Sequence, residues 1–418
     1  MDKKQKEKSK ILKILQIAFL SLLCFFLLAF VFLRFFMPNA LSELKKNSVA
    51  ESPVPSTSSS PLPTPEPTPE PTPEPTPEIF TISMVGDCTL SSSQRENRFE
   101  TVLNGDMSWP FSGTLEYFED DYLSIANLEC NFSDNPLYSS RLFHFKGPSE
   151  HAKILSLGSI EYVALGNNHI MDFGQKGYED TVAILDAEGI AYSGPNSSII
   201  YSVDEGIRIG LYSAPWMATL EQVLAGVEQL KAEGICDIII VLMHWGKEGS
   251  YRVFDTQSSI GRAAIDAGAD IVYGSHPHVL QRIEEYSDGI ILYSLGNFSF
   301  GGNSAPRDRD TAIVQIDIIR DLDKSIRLGD MRLIPCALSS DPVYNDYRPV
   351  PYEKGSPEYE RTLSKLNGEW RGPDLAIDYS VFRENAQAPA PPSAEQPPAA
   401  SPPDSGSEGG GGEGESGG

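Results

Sequence analysis

Seven short apolar runs, each ending in polar or glycine-rich residues, fix the kind of fold this chain can adopt. They are Phe80–Val85, Tyr122–Ala126, Tyr162–Leu165, Ile207–Tyr212, Ile238–Met243, Ile271–Tyr273 and Ile290–Tyr293. Amphipathic stretches of helical length lie between several of them, such as Gly177–Glu188 closed by Gly189 and Leu220–Glu233 closed by Gly234. A glycine just after the last periodic residue stops a helix, because it accepts the left-handed conformation there. Strand, helix and strand in alternation predict an α/β layered domain with buried strands. Further on, Thr311–Ile319 and Ser325–Leu338 alternate without intervening helices and read as antiparallel strands. The order of strands within the sheets stays open.

The ends of the chain do not belong to that domain. Ile14–Leu33 is an almost unbroken apolar run, about the ~20 residues that span a bilayer as a helix. Six lysines precede it between Lys3 and Lys13, while Arg34, Lys45 and Lys46 follow. This asymmetry puts residues 1–13 in the cytoplasm and everything after the 14–33 helix outside, in a single-pass cell-membrane protein. A cleaved signal peptide shares the basic start, but its apolar region is shorter and Arg34-Phe35-Phe36-Met37 is not a small-residue cleavage site. Residues 34–78 form a Pro/Thr/Glu-rich linker, with Pro-Thr-Pro-Glu repeated four times from Pro63 to Glu78. Alternating prolines exclude helix and sheet ladder and favour an extended, semi-rigid spacer. Residues 387–418 are rich in Pro, Gly and Ser without apolar periodicity and are expected to be disordered. The folded domain is therefore expected over 79–386.

Charge narrows the partners. The chain carries 33 Lys+Arg against 58 Asp+Glu, a net of −25, and residues 79–386 alone account for −21 of it. Phosphate backbones bind basic surfaces, so nucleic acid is excluded as a partner. Five cysteines in 418 residues do not make a disulfide scaffold.

Chemistry-bearing residues cluster at the ends of the apolar runs. Asp87 follows Met84-Val85-Gly86, Glu129 follows Ala126-Asn127-Leu128, and Asn168-His169 ends Ala164-Leu165-Gly166-Asn167. His244, His276 and His278 close two further runs. Open α/β sheets bind their ligands at strand ends, and carboxylate, amide oxygen and imidazole together suit Zn, Mn or Fe. A single Gly-Asp after a strand is usually a turn, and a single His there is usually structural. Five such clusters together point to one shared polar site. His144 and His151 lack this setting and read as surface or loop residues.

These motifs resemble the CapA-type (PGA_cap) proteins of bacterial poly-γ-glutamate capsule synthesis. The resemblance rests on Gly86-Asp87, Asn127-Leu128-Glu129, Gly166-Asn167-Asn168-His169 with Asp172, His244-Trp245-Gly246 with Glu248, Gly274-Ser275-His276-Pro277-His278 with Gln281, and Ser294-Leu295-Gly296-Asn297-Phe298. That family is similar to the calcineurin-like metallophosphoesterases, which implies an α/β/β/α sandwich of two sheets flanked by helices. The resemblance further implies two divalent ions. Asp87, Glu129 and His278 would hold one; Glu129 as bridge, Asn168, His244 and His276 would hold the other. Two cations about 3.5–4 Å apart activate water and clamp the oxygens of an in-line displacement. His169 would be the catalytic acid that protonates the leaving group. Asp172, Glu248 and Asn297 would hold the ligating side chains from behind. Two positions depart from the metallophosphoesterase pattern: Thr89 stands where a His is usual, and Glu129 where the bridge is usually Asp.

The expected function is a membrane-anchored extracytoplasmic CapA-like protein acting in synthesis, export or attachment of an anionic capsule polymer, poly-γ-glutamate, through metal-dependent hydrolysis. Small membrane subunits of a capsule synthase are the expected partners. A cell-envelope phosphoesterase with a phosphoester substrate, or a non-catalytic assembly scaffold, are the alternatives. A net charge of −21 repels polyglutamate, so binding needs bound cations or a basic cleft including Arg252, Arg262 or Arg282. A Cys–His nucleophile at Cys88 or Cys130, a Cys88–Cys130 disulfide, and a groove lined by Trp109, Trp216 and Trp245 are further possibilities to test against the structure.

Overall fold

The computed structural model describes residues 76–93 and 98–376. The expected cytoplasmic segment 1–13, the membrane helix 14–33, nearly all of the 34–78 linker and the 387–418 tail lie outside these residues. Among the described residues, no helix is long and apolar enough to cross a membrane.

The chain runs through β1 (Glu78–Thr89), α1 (Arg98–Leu103), β2 (Leu123–Leu128), β3 (Asn131–Phe132), β4 (Lys146–Gly147), α2 (Lys153–Leu157), β5 (Tyr162–Ala164) and α3 (Gly174–Glu188). It continues with β6 (Ala191–Ser193), β7 (Ser197–Tyr201), β8 (Ile209–Ser213), α4 (Leu220–Glu233), β9 (Ile238–His244), α5 (Asp255–Ala267) and β10 (Ile271–Ser275). It ends with β11 (Ile283–Tyr286), β12 (Gly289–Leu292), β13 (Asn297–Phe300), β14 (Asp310–Arg320), β15 (Ile326–Ala337), β16 (Val350–Pro351) and α6 (Pro357–Leu366). All seven apolar runs contain strands, and the two helices ending at Gly189 and Gly234 are present. Both glycines are left-handed, with φ of 79° and 65°. Thr219 caps α4 by accepting the Gln222 N–H, while the Gln222 side chain returns to the Thr219 N–H, so two orphan donors are satisfied reciprocally.

Two sheets form. One has the order β16-β15-β14-β1-β2-β5-β6, with β13 also paired to β1; the other has the order β11-β12-β10-β9-β8-β7. Their facing sides share one apolar core: Ile82, Met84, Leu123 and Ile125 from the first meet Ile209, Leu211, Ile240, Leu242 and Ile271 from the second. Outside the first sheet, Val85, Cys88, Leu128 and Val163 pack with Leu103, Ile154, Leu155 and Leu185 from α1, α2 and α3. Outside the second, Val241, Val272 and Ile291 pack with Val223, Val227 and Ala264 from α4 and α5. The architecture is the expected α/β/β/α sandwich. Its central strands β2, β8, β9, β10 and β12 are buried on both faces, which is why they read as continuous apolar runs. β14 and β15 pair antiparallel, as their alternation predicted.

The first sheet carries two acids at the end remote from the strand termini that hold the polar motifs. Burial raises Glu161 to about 7 against the bond from the Ser124 N–H, and raises Asp121 to about 6 against bonds from Ser83 and Ser124. Both carboxyls hold their protons more tightly folded than unfolded. Their contribution to stability is therefore present at low pH and is lost as pH rises through about 6 to about 7. A Glu161→Gln variant, which can still accept the Ser124 N–H, is expected to be more stable than wild type at pH 8 by on the order of 1–2 kcal/mol. At pH 4 the two should match. Urea unfolding at both pH values checks this, and equal differences at both would refute it.

Candidate metal centre

The carboxyl ends of β1, β2, β5, β9 and β10 bring the strand-end residues of both sheets together. β1 supplies Asp87 through an irregularity: Met84 pairs with Ile125, but Asp87 rather than a nearer residue pairs with Asn127. The extra residue turns Asp87 inward beside the other sheet, as β-bulges do. Gly86 permits this course, because a Cβ there would lie 2.1 Å from the Gly296 carbonyl oxygen. The same approach lets the Asp87 N–H donate to that oxygen at 2.8 Å, and it brings Asn297 of β13 into register with Asp87.

Glu129, one residue past β2, is fully buried, and neither carboxylate oxygen has a hydrogen-bond partner. Its Oε1 lies 3.4 Å from His244 Nε2 and 3.9 Å from both His278 Nε2 and His169 Nε2. The surrounding hydrogen bonds orient the imidazole rings. Ser275 Oγ donates to the Met243 carbonyl at 3.0 Å, so it accepts from His244 Nδ1 at 2.9 Å. His244 Nε2 is turned toward Asn168 Oδ1 (2.7 Å) and His276 Nδ1 (3.2 Å) as well as Glu129. On the other side His278 Nδ1 donates to Asn297 Oδ1 at 2.9 Å and lies 3.1 Å from Asp87 Oδ2, leaving Nε2 toward Glu129.

A fully buried carboxylate without hydrogen bonds, surrounded by imidazole nitrogens and an amide oxygen, gathers the donor atoms a divalent cation takes as ligands. Isolated buried polar atoms of this kind are costly, and a divalent cation satisfies all of them together. The residues present fit a metal. Two triads have ligand atoms all within 4.8 Å of one another: Glu129, His276 and His278, and Asp87, Glu129 and His244. Both include Glu129. All six expected ligands thus converge, although these tightest triads cut across the expected division into two sets.

Ionisation reflects the same crowding. Burial opposes charge on Glu129, but the imidazoles of His278 and His244, and then His169, hold its carboxyl down at about 2. Burial likewise disfavours charge on His278, yet Glu129 and then Asp87 lift it to about 10. His276 is held down at about 2, by burial first and then by His244 and His278. Glu248, half-buried in the loop after β9, adds a smaller upward pull on His278.

His169 sits at the rim. Its Nδ1 is 2.7 Å from Asp172 Oδ2, and its Nε2 points back toward Glu129. Asp172 is buried and also accepts the Phe145 N–H at 3.3 Å, so the imidazole is held in one orientation. Of the three expected supporting residues, Asp172 therefore serves His169, and Asn297 serves His278. Asn127 and Asn167 are positioned but were given no role from sequence: Asn127 Nδ2 donates to Asp87 Oδ1 at 2.8 Å, and Asn167 Oδ1 accepts the His169 and Ile170 N–H groups. Ser275, quoted in its motif, was likewise given no role, and Arg141 went unnoticed. Arg141 donates to the Asn168 carbonyl at 2.7 Å and lies 3.3 Å from Asp172 Oδ1. It comes from an irregular loop, where sequence periodicity gives no signal.

Other expectations resolve differently. Cys88 and Cys130 are free thiols in the helix-side core, and burial pushes the Cys88 thiol up to about 12 and Cys130 higher still. Neither is an activated nucleophile. Thr89, at the departing position, takes the Gly302 N–H on its hydroxyl. His151 is buried, with Nδ1 2.6 Å from the Leu90 carbonyl, which corrects the expectation of a surface residue. Trp245 is core and Trp109 bonds the Asp346 carbonyl. Only Trp216 of the three stands at the centre, its ring 4.3 Å from that of His276. Arg262 and Arg282 both pair with Glu284, and Arg252 pairs with Asp374, so these three guanidiniums do not form a free basic cleft.

Comparison with known proteins agrees with this assembly of motifs. Over 300 residues the chain is 29% identical to the capsule biosynthesis protein CapA of Bacillus anthracis, covering 64% of this chain and 72% of that one. It is 28% identical over 288 residues to the PGA biosynthesis protein CapA of Bacillus subtilis strain 168, covering 62% and 72% respectively. Among solved structures, an NAD nucleotidase of Haemophilus influenzae aligns over 74% of this chain and 66% of its own, with 12% identity and a TM-score of 0.36. The family model described as bacterial capsule synthesis protein PGA_cap matches residues 81–302, a span that begins in β1, ends just after β13 and contains every residue of the centre. The chain belongs to that bacterial capsule synthesis protein family.

Proposed function

We propose that this protein acts in the synthesis, export or attachment of an anionic capsule polymer, poly-γ-glutamate, as a metal-dependent hydrolase of the metallophosphoesterase type. The observation that carries the hydrolytic reading is the buried Glu129 carboxylate, without hydrogen bonds, with imidazole nitrogens of His244, His278 and His169 gathered 3.4 to 3.9 Å from it. The capsule reading rests on family membership and on the two CapA relatives. Asp87, Glu129, Asn168, His244, His276 and His278 would hold two divalent ions, Mn, Zn or Fe. Such ions supply Lewis acidity toward a scissile carbonyl or phosphoryl group and lower the pKa of water.

The protein's own side chains do the rest. Asp172 fixes His169 with Nδ1–H bound, so that a proton carried on Nε2 faces the reacting group and can pass to the departing atom. Trp216 walls one side of His276. Bound cations also offset the chain's acidity, which otherwise repels a polyanion. The membrane anchor at 14–33, with the domain outside the cell, belongs to the same proposal and rests on the lysine asymmetry. Small membrane subunits of the synthase are the partners this placement suggests.

Elemental analysis of the purified protein after reconstitution with Mn, Zn or Fe tests the centre. About two equivalents in wild type, lost in an Asp87→Ala, His276→Ala double variant, is the expected result. Loaded protein is then assayed on poly-γ-glutamate and on a generic phosphodiester. His169→Ala is expected to keep the metal and lose about 10²–10⁴-fold in turnover. No bound metal after reconstitution would overturn the hydrolase reading, and phosphodiester cleavage without action on the polymer would favour an envelope phosphoesterase.

A further inference from the structure

The His276-Pro277-His278 turn is strained: His276 has φ of 97° and His278 of 55°. Side chains other than glycine rarely adopt such values, and they persist only where the surroundings over-determine them. Part of the restraint comes from a distant stretch of chain. The Pro277 carbonyl, between the two histidines, accepts the Gly249 N–H at 2.8 Å, and the Gly249 carbonyl in turn accepts the Leu375 N–H at 2.8 Å. Gly249 follows Glu248 in the loop after His244. A relay of two backbone bonds therefore runs from residue 375 to the turn that presents two of the metal-binding imidazoles.

Asp374 fastens the same loop with its side chain. Its Oδ1 accepts the Tyr251 N–H at 3.1 Å, and its Oδ2 accepts Ser250 Oγ at 3.0 Å and an Arg252 guanidinium N–H at 3.2 Å. From the other side, Gln281 Nε2 donates to the Ser250 and Arg252 carbonyls at 2.9 and 3.0 Å, and its Oε1 is held by Gln257. Trp370 packs against Tyr251, with ring centres 5.9 Å apart. The loop is thus clamped between Gln281, three residues beyond His278, and a segment lying some seventy residues past the end of the family match at 302.

We infer that residues 370–376 are a positioning strap for the metal centre, with Asp374 as its main anchor, so that the region matched by the family model does not by itself hold the His276–His278 turn in its ligating geometry. This rests on the metal-binding reading given above. The strap touches neither metal nor substrate; it acts by limiting the conformations open to the turn, and preorganised ligands bind more tightly than ones that must be ordered on binding.

The test uses the full chain with Co²⁺ as a coloured probe, comparing wild type, Asp374→Ala, Asp374→Asn and Leu375→Pro. Leu375→Pro removes the N–H that starts the relay. Arg332→Ala, which breaks an ion pair with Asp317 on β14 and β15, serves as a control for general destabilisation. Expected are a roughly tenfold weaker Co²⁺ affinity and an altered visible spectrum for Asp374→Ala and Leu375→Pro. Asp374→Asn, which keeps an acceptor for the Tyr251 N–H, should lie between them and wild type, and Arg332→Ala should match wild type in affinity and spectrum. Wild-type affinity and spectrum in both Asp374→Ala and Leu375→Pro would overturn the strap while leaving the metal centre standing. Equal weakening by Arg332→Ala would also overturn it. Failure of wild type to bind Co²⁺ would overturn the metal reading and the strap with it.

Discussion

A Glu129→Ala variant is expected to lose tight metal binding altogether, with affinity falling by well over the roughly 10–100-fold typical of residues that only orient ligands. Glu129 belongs to both of the tightest ligand triads, so its removal deprives each of its one shared carboxylate. The effect is readable without any assay of turnover. A ligand that binds only the folded state stabilises it by about 2.7 kcal/mol at a concentration 100 times its dissociation constant. Wild type should gain that increment in Mn²⁺ or Zn²⁺ and the variant should gain none. Comparable metal-induced stabilisation of the two proteins would show that the bound ion sits elsewhere.

The second large effect is expected at a buried residue that takes no part in the chemistry. Lys365 on α6 is buried, and its Nζ lies 2.8 Å from both Asp308 oxygens and 2.7 Å from Asp310 Oδ2. Arg361 forks onto Asp310 at 2.8 and 2.6 Å, and Tyr251 and Trp370 place their rings 5.0 and 5.4 Å from the ammonium. Burial works against the Asp310 carboxylate, and Arg361 and Lys365 together hold its pKa below the usual range. Lys365→Met keeps the stem but strands two carboxylates with a single guanidinium. Breaking a buried pair in this way costs about 3–5 kcal/mol, measurable by urea unfolding at pH 7. Adding Asp308→Asn should restore part of the loss, because the cost comes from the uncompensated charge. A Lys365→Met loss within about 0.5 kcal/mol, the range of ordinary surface changes, would refute the account.

Much of this was legible in the sequence. Strands buried on both faces leave uninterrupted apolar runs, and helix stops leave glycines, so the layers followed from hydropathy and a few local signals. The ligand positions were legible for a related reason: each lies at, or within a few residues of, the carboxyl end of a strand, where side chains leave the core and gather at one edge. The orienting roles of Asn127, Ser275 and Arg141 were not, because orienting a neighbour needs only a polar atom at the right place and imposes no spacing. The helices α1, α2, α5 and α6 and the short strands β3, β4, β6, β7, β11, β13 and β16 also went unread. His151 was misjudged since its burial comes from packing against Phe99 and the Leu90 carbonyl, both remote in sequence.

By itself the sequence determined which segments are buried and which residue types cluster at their ends, because hydropathy and backbone preference act locally. Which way those residues face was decided only by tertiary structure. Strict alternation from Val85, which packs under the helices, would send Asp87 to the same face; instead Cys88 joins Val85 in that core and Asp87 turns to the centre. The slip in β1 that does this is set by pairing with β2 and β13 at once. The turn carrying His276 and His278 is likewise held by Gly249 and, through it, by Leu375. Backbone strain of that kind is sustained by contacts far along the chain, and no local pattern encodes them.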